Sequence, residues 1–199
     1  MISCLRMENL TVERGGRVLF SELFARVEAG EALVVSGANG VGKSSLLRVV
    51  AGLLRPLAGE IIFDGAGDDA QRRALHLMGH QDGLKGGRTA SEELQFQTAW
   101  AGALDGAALR AAERLGVARQ LALEVRRLSA GQRRRLALAR LIAAPRPLWL
   151  MDESLAPLDA DGRALMGEVM SEHLAAGGLI LAAAHDPLPV PARVLELGA

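Results

Sequence analysis

Hydrophobic residues fall in two different rhythms along this chain. From Ile2 to Val12 they alternate with polar ones, Arg14-Gly15-Gly16-Arg17 interrupts them, and Val18 to Val27 forms a second apolar run. This is the pattern of short strands joined by a turn. Ala32-Leu33-Val34-Val35 is then apolar throughout, and Ser45 to Val50 reads as a helix. Gly59 to Gly65 predicts another strand bounded by glycines, and Ala74 to Gln81 is strand-like too. From about Arg88 to Arg126 the chain changes character. Ala90 to Ala103 and Asp105 to Leu115 carry helical spacing, and Ser129 caps a third helix, Gln132 to Ala143. Pro147 to Met151 predicts a buried strand, Ala160 to Ala175 a helix, Leu179 to Ala184 a buried strand, and Arg193 to Leu197 a last short one. Strands alternating with helices predict an α/β domain with a mostly parallel sheet. Strand-rich residues precede it, and a helical subdomain at roughly 83–145 interrupts it. We expect one domain over residues 1–199. Charged helix faces such as Ala112-Glu113-Arg114 read as solvated surface.

Composition narrows the picture in three ways. Half of the residues are hydrophobic, so a substantial core is available and disorder is not expected. Basic and acidic residues balance at 23 each, which argues against a broad nucleic-acid surface. Cys4 is the single cysteine, so no internal disulfide forms, and the chain suits a reducing compartment. The charge-interrupted N-terminus does not read as a signal peptide. The longest uncharged apolar stretch, Leu174 to Ala184, falls short of the ~20 residues a spanning helix needs. We therefore expect no direct membrane span.

The chemistry is concentrated in a few short runs. Gly37-Ala38-Asn39-Gly40-Val41-Gly42-Lys43-Ser44 fits G-x-x-x-x-G-K-[ST] between a strand and a helix. Gly40 and Gly42 let the backbone approach an anion, and the helix start behind them favours negative charge. Lys43 can reach the β- and γ-phosphates, and the Ser44 hydroxyl can bind Mg²⁺. The chain's only lysines are Lys43 and Lys85, and a chance match is about a one per cent event or less. Downstream, Leu148 to Met151 delivers Asp152 beside this loop, where it can orient Mg²⁺, and Glu153 stands one residue on, where a carboxylate can polarise an attacking water. A third run, Leu128-Ser129-Ala130-Gly131-Gln132, opens a helix and offers a second phosphate site about 85 residues after the first. One such site per chain, unneeded by the chain's own loop, points to a nucleotide shared between two chains.

Leu128 to Gln132, followed by Asp152-Glu153, resembles the signature of ATP-binding cassette ATPases, and the resemblance covers nearly the whole chain. It implies a P-loop NTPase core with an N-terminal antiparallel β subdomain and an inserted helical subdomain. It also implies roles for further residues. Gln81 matches the glutamine that senses Mg²⁺ and the attacking water, Leu158-Asp159 matches the D-loop, and His185 matches the switch histidine at the γ-phosphate. His76, His80 and His173 lack such a setting and read as structural or exposed. ATP would be held by Gly37 to Ser45 of one chain, including Ala38, Asn39, Val41 and Ser45, and by Ser129, Ala130, Gly131 and Gln132 of the other. Glu153, His185, Lys43 and Gln81 would serve catalysis, and Ser44, Gln81 and Asp152 the metal.

A narrower resemblance is to the ATP-binding subunits of cytochrome c maturation. It rests on Arg17 to Ser21, Gly79-His80-Gln81, Leu128 to Leu141 and His185-Asp186-Pro187-Leu188. It implies a homodimer at the cytoplasmic face of the bacterial inner membrane, docked near Gln81 to Thr89 on integral membrane subunits (CcmB-like, with CcmC-like), and energising heme handling. Another small-substrate transporter, or a soluble cassette protein acting on ribosomes or DNA, is the alternative. Three departures stand out. Glu13, Arg14 and Gly15 occupy the region where the family often places an adenine-stacking aromatic, and the chain has no Tyr. Ser154 replaces a common proline, and Pro157 precedes Leu158-Asp159, where it stiffens the dimer contact.

Overall fold

The computed structural model describes residues 2–67 and 73–198. The chain divides into two compact units, one of residues 1–77, 146–153 and 171–199, the other of residues 78–145 and 154–170.

The first unit holds two sheets. β1 (Cys4–Arg14), β2 (Arg17–Glu28) and β4 (Ala58–Asp64) form an antiparallel sheet in the order β2-β1-β4. β3 (Ala32–Ser36), β5 (Leu75–Met78), β6 (Leu148–Asp152), β7 (Leu179–Ala183) and β8 (Arg193–Glu196) form the other, in the order β5-β6-β7-β3-β8. The pairs β6–β7, β7–β3 and β3–β8 are parallel. Every residue of β6 and β7 is buried, which is why both strands read as unbroken apolar runs rather than alternating ones. Asp152 is the polar exception, and it falls at the carboxyl end of its strand. β1 by contrast alternates, because one of its faces packs inward and the other does not.

One hydrophobic core joins the two sheets to α1 (Lys43–Val50). Leu5, Met7 and Leu10 of β1 meet Leu33 and Val35 of β3, Leu46, Leu47 and Val50 of α1, and Leu150 and Leu181 of the parallel sheet. Each such burial contributes roughly 1.5–3 kcal/mol. The core thus fixes the start of α1 just past the carboxyl end of β3. Trp149 of β6 stacks on His173, with ring centroids 3.8 Å apart and planes 7° from parallel. His173 Nε2 donates to the Leu179 carbonyl at 3.3 Å, and burial pushes the imidazole pKa down. His173 is therefore structural, as its sequence setting implied, and His76 is buried.

The second unit is mainly helical. It contains α2 (Ala90–Trp100), α3 (Ala107–Arg114), α4 (Ala130–Ala143) and the first part of α5 (Ala160–Ala175). α4 packs against both α2 and α3. Capping boxes start α2 and α4. Thr89 Oγ1 accepts from Glu92 N at 3.2 Å while Glu92 accepts from Thr89 N at 2.8 Å, and Ser129 and Gln132 repeat the exchange at 3.2 and 2.9 Å. With Ser129 as the cap, α4 begins at Ala130, two residues before the expected Gln132. α2 stops at Trp100 rather than Ala103, because Ala103 N turns back to Thr98 O at 2.9 Å and closes the last turn. Ala112 corrects another expectation. It is fully buried with Ala111 rather than solvated, and Arg114 pairs with Glu168 at 3.1 Å. Among the described residues no helix is long and apolar enough to cross a membrane.

Candidate nucleotide site

The loop from Gly37 to Gly42 is pinned from both ends. Val41 N donates to Ala38 O at 3.3 Å, Leu46 N to Gly42 O at 2.8 Å, and Leu197 N, just beyond β8, to Ser36 O at 2.9 Å. α1 starts at Gly42 with no side-chain cap, unlike α2 and α4. Its first backbone N–H groups are left for another acceptor, and the helix dipole favours a negative one. Lys43 is only 7 % exposed, and its Nζ donates to Gly37 O at 2.6 Å and Ala38 O at 3.2 Å. The ammonium is thus folded over the loop whose amides would receive phosphate.

At the end of β6, Asp152 Oδ1 accepts from Ser44 Oγ at 2.9 Å, joining loop and strand. Glu153 follows with φ 49°, a left-handed backbone conformation that is uncommon outside glycine and clusters at functional sites. Glu153 N donates to Ala183 O at 2.8 Å, which holds this bend against β7. Its Oε1 lies 3.4 Å from Nε2 of His185, which comes from the end of β7. The sequence motifs thus led to Lys43, Ser44, Asp152 and Glu153 and the resemblance to His185, and the first unit brings all five to the carboxyl end of one sheet.

A cleft of about 200 Å³ opens here, lined by Arg14, Leu19, Asn39, Gly40, Gly42, Lys43, Ser44, Ser45 and Glu153. That is below the ~300–1,000 Å³ that encloses a drug-sized ligand. It has room for phosphates and leaves a base outside. Leu19 was not expected in this lining, whereas Arg14 lies in the region that the resemblance assigns to an adenine-stacking residue. The signal at Leu19 was faint, an apolar residue of the second strand with nothing in its spacing to mark a ligand. The donor set fits a phosphate-bound Mg²⁺ in part. Ser44 Oγ and Asp152 Oδ1 are hard oxygens already side by side. Among the described residues no group of three or more His, Cys, Asp or Glu could hold a metal ion. A cation here needs the nucleotide's own oxygens to complete its shell.

The second unit carries the other expected residues. Ser129 and Gln132 are engaged with each other in the cap of α4, so the helix start offers chiefly the backbone N–H groups of Ala130 and Gly131. Gln81 is exposed in the loop after β5. Arg135 of α4 pairs with Asp159, which also accepts from Gly162 N at 2.9 Å. Ser154, at the position noted for its missing proline, donates to Met78 O at 3.0 Å and is buried. A proline could not make that bond.

Comparison with known proteins agrees with this geometry. A family model described as ABC transporter matches residues 20–156. Cytochrome c biogenesis ATP-binding export protein CcmA of Rhodopseudomonas palustris (strain BisB5) is 46% identical over 187 residues, 94% of each chain. The protein of that name from Bradyrhizobium diazoefficiens is 46% identical over 191 residues, 93% of each. Among solved structures, a putative ABC transporter ATP-binding protein from Pyrococcus furiosus has the same fold, with TM-score 0.82 at 22% identity over 98% of each chain.

Proposed function

Because the chain belongs to the ABC transporter family, we propose that it energises heme handling for cytochrome c assembly. The chain is the ATP-binding subunit of an ABC transporter and an ATPase. A role in heme handling is supported by relatives named for cytochrome c biogenesis export, one of them similar across 94% of the chain.

The observation that carries the chemistry is the Glu153 carboxylate, which lines the phosphate cleft and lies 3.4 Å from His185. In the reading we favour, Glu153 takes the proton of the attacking water. Lys43 and His185 stabilise charge on the γ-phosphate, and the amides from Gly37 to Ser45 cradle the phosphates. Ser44 and Asp152 would hold Mg²⁺, with Gln81 contributing. Mg²⁺ bound there would neutralise part of the negative charge of the phosphates. Ser129, Ala130, Gly131 and Gln132 serve the ATP held by a second copy of the chain, so the working form is a homodimer.

The whole chain acts as one ATP-binding domain with its helical subdomain at roughly 83–145. It sits peripherally at the cytoplasmic face of the inner membrane, docked on CcmB-like and CcmC-like subunits near Gln81 to Thr89. α2, which starts at the end of that loop, supports this placement. It exposes Phe96 and Trp100 four residues apart, the latter 86 % exposed, and a protein partner commonly covers such a surface. Affinity purification from membranes tests the proposal. Integral subunits of a cytochrome c assembly system should copurify, and Trp100→Glu should release them with ATP binding intact. Copurification of an unrelated permease would overturn the assignment.

A further inference from the structure

Arg133-Arg134-Arg135 looks like a solvated charge run, yet Arg134 is 1 % exposed and is the largest fully buried side chain among the described residues. A buried guanidinium is costly unless its donors are met. Here the donors of Nη1 and Nη2 converge on one short loop. Nη1 donates to Gly79 O at 3.2 Å and to Asp82 Oδ1 at 2.9 Å. Nη2 donates to Gly79 O at 3.2 Å and to His80 O at 3.3 Å. The acceptors flank Gln81 on both sides while Gln81 itself stays exposed. The planar guanidinium therefore fixes the backbone that presents this glutamine, and it does so through a fork that an ammonium could not reproduce.

Arg134 also lies two residues past Gln132, in the first turn and a half of α4. A shift of α4 along its axis would move the guanidinium, and with it the carbonyls on either side of Gln81.

We propose that Arg134 is a positioning residue that couples the start of α4 to the Gln81 loop, so that occupation of Ser129 to Gln132 by the partner's nucleotide sets the placement of Gln81. This rests on the roles assigned above to Gln81 and to the α4 start.

A double-mutant cycle on the full chain tests it, read as steady-state ATP hydrolysis. Arg134→Met and Gln81→Ala should each lower kcat by about 10–100-fold, with KM for ATP unchanged. The double variant should be no slower than the slower single one, because both changes remove the contribution of a correctly placed Gln81 side chain. Arg134→Lys should recover only part of the loss. A double variant showing the product of the two single losses would overturn the coupling while leaving the role of Gln81 standing. A Gln81→Ala variant with wild-type kcat would overturn the role of Gln81 and the coupling with it. Should Arg134→Met fail to fold, Asp82→Asn carries the same cycle, since it weakens the clamp at a partly exposed partner.

Discussion

Alanine at Gly37 and alanine at Gly40 should damage the protein in different ways, although both glycines belong to one loop. Gly37 has φ 135°, and a Cβ there would lie 2.6 Å from the carbonyl oxygen of Leu197 and 3.1 Å from Val41 Cγ1. The Leu197 backbone is held by its own bond to Ser36, so it cannot turn aside freely. Backbone strain of about 1–3 kcal/mol adds to overlap of about 1–3 kcal/mol in a packed region. A middle value of about 4 kcal/mol lowers the melting temperature by about 8–16 °C for a chain of this size. Gly40 has φ 82° but nothing within 4 Å of its Cβ position. Strain of about 1 kcal/mol then lowers melting by only ~2–4 °C. The open space at Gly40 belongs to the phosphate cleft, however, and a methyl there denies phosphate its approach. Losing one charge-assisted bond of about 1.5–3 kcal/mol raises the ATP dissociation constant about tenfold or more. Thermal melting and equilibrium nucleotide binding of the two variants separate the effects. Equal melting losses, or wild-type ATP affinity in Gly40→Ala, would refute the reasoning.

Two further outcomes follow from individual side chains. Glu153→Gln should bind ATP and dimerise but turn over about 10²–10⁴-fold more slowly in a single-turnover assay, and near wild-type turnover would remove Glu153 as the base. Burial holds the His173 imidazole below its ordinary 6.5, so the unfolded chain binds that proton more readily than the folded one. The stability contributed is fully present above about pH 6.5 and lost as pH falls below it toward the folded pKa. Urea midpoints at about pH 7.5 and 5.5 should therefore diverge less in His173→Phe, which keeps a ring against Trp149, than in the wild type. An unchanged divergence would show that His173 does not carry it.

Much of the site was legible because phosphate binding constrains the backbone. Gly37 to Ser44 and Asp152-Glu153 each need a strand end, and strand ends announce themselves as apolar runs that stop at a glycine or an acid. The start of α4 was legible for a similar local reason, since Ser129 is a cap residue, whereas Gln132 entered only through the resemblance to the cassette signature. Arg134 was not legible, because burial of a guanidinium depends on which loop happens to face α4, and the arginines beside it in sequence are less buried than it is. Neither was the left-handed backbone of Glu153, which local sequence does not favour and the Ala183 carbonyl holds in place. Leu19 reaches the cleft from β2, a placement that no spacing of its own reveals.

The central claim is that each ATP is shared between two chains, and trapping of ATP in mixed dimers tests it most directly. Lys43→Ala disables the loop of its own chain, and Ser129→Arg should disable the site whose loop lies in the partner. With the two changes on different chains of a mixed dimer, both fall on the same site, and the other site should still trap ATP. With both changes on one chain and none on its partner, each site loses one half and neither should trap ATP. The reverse pattern, trapping retained when the changes share a chain and lost when they do not, would mean that each chain holds a complete site.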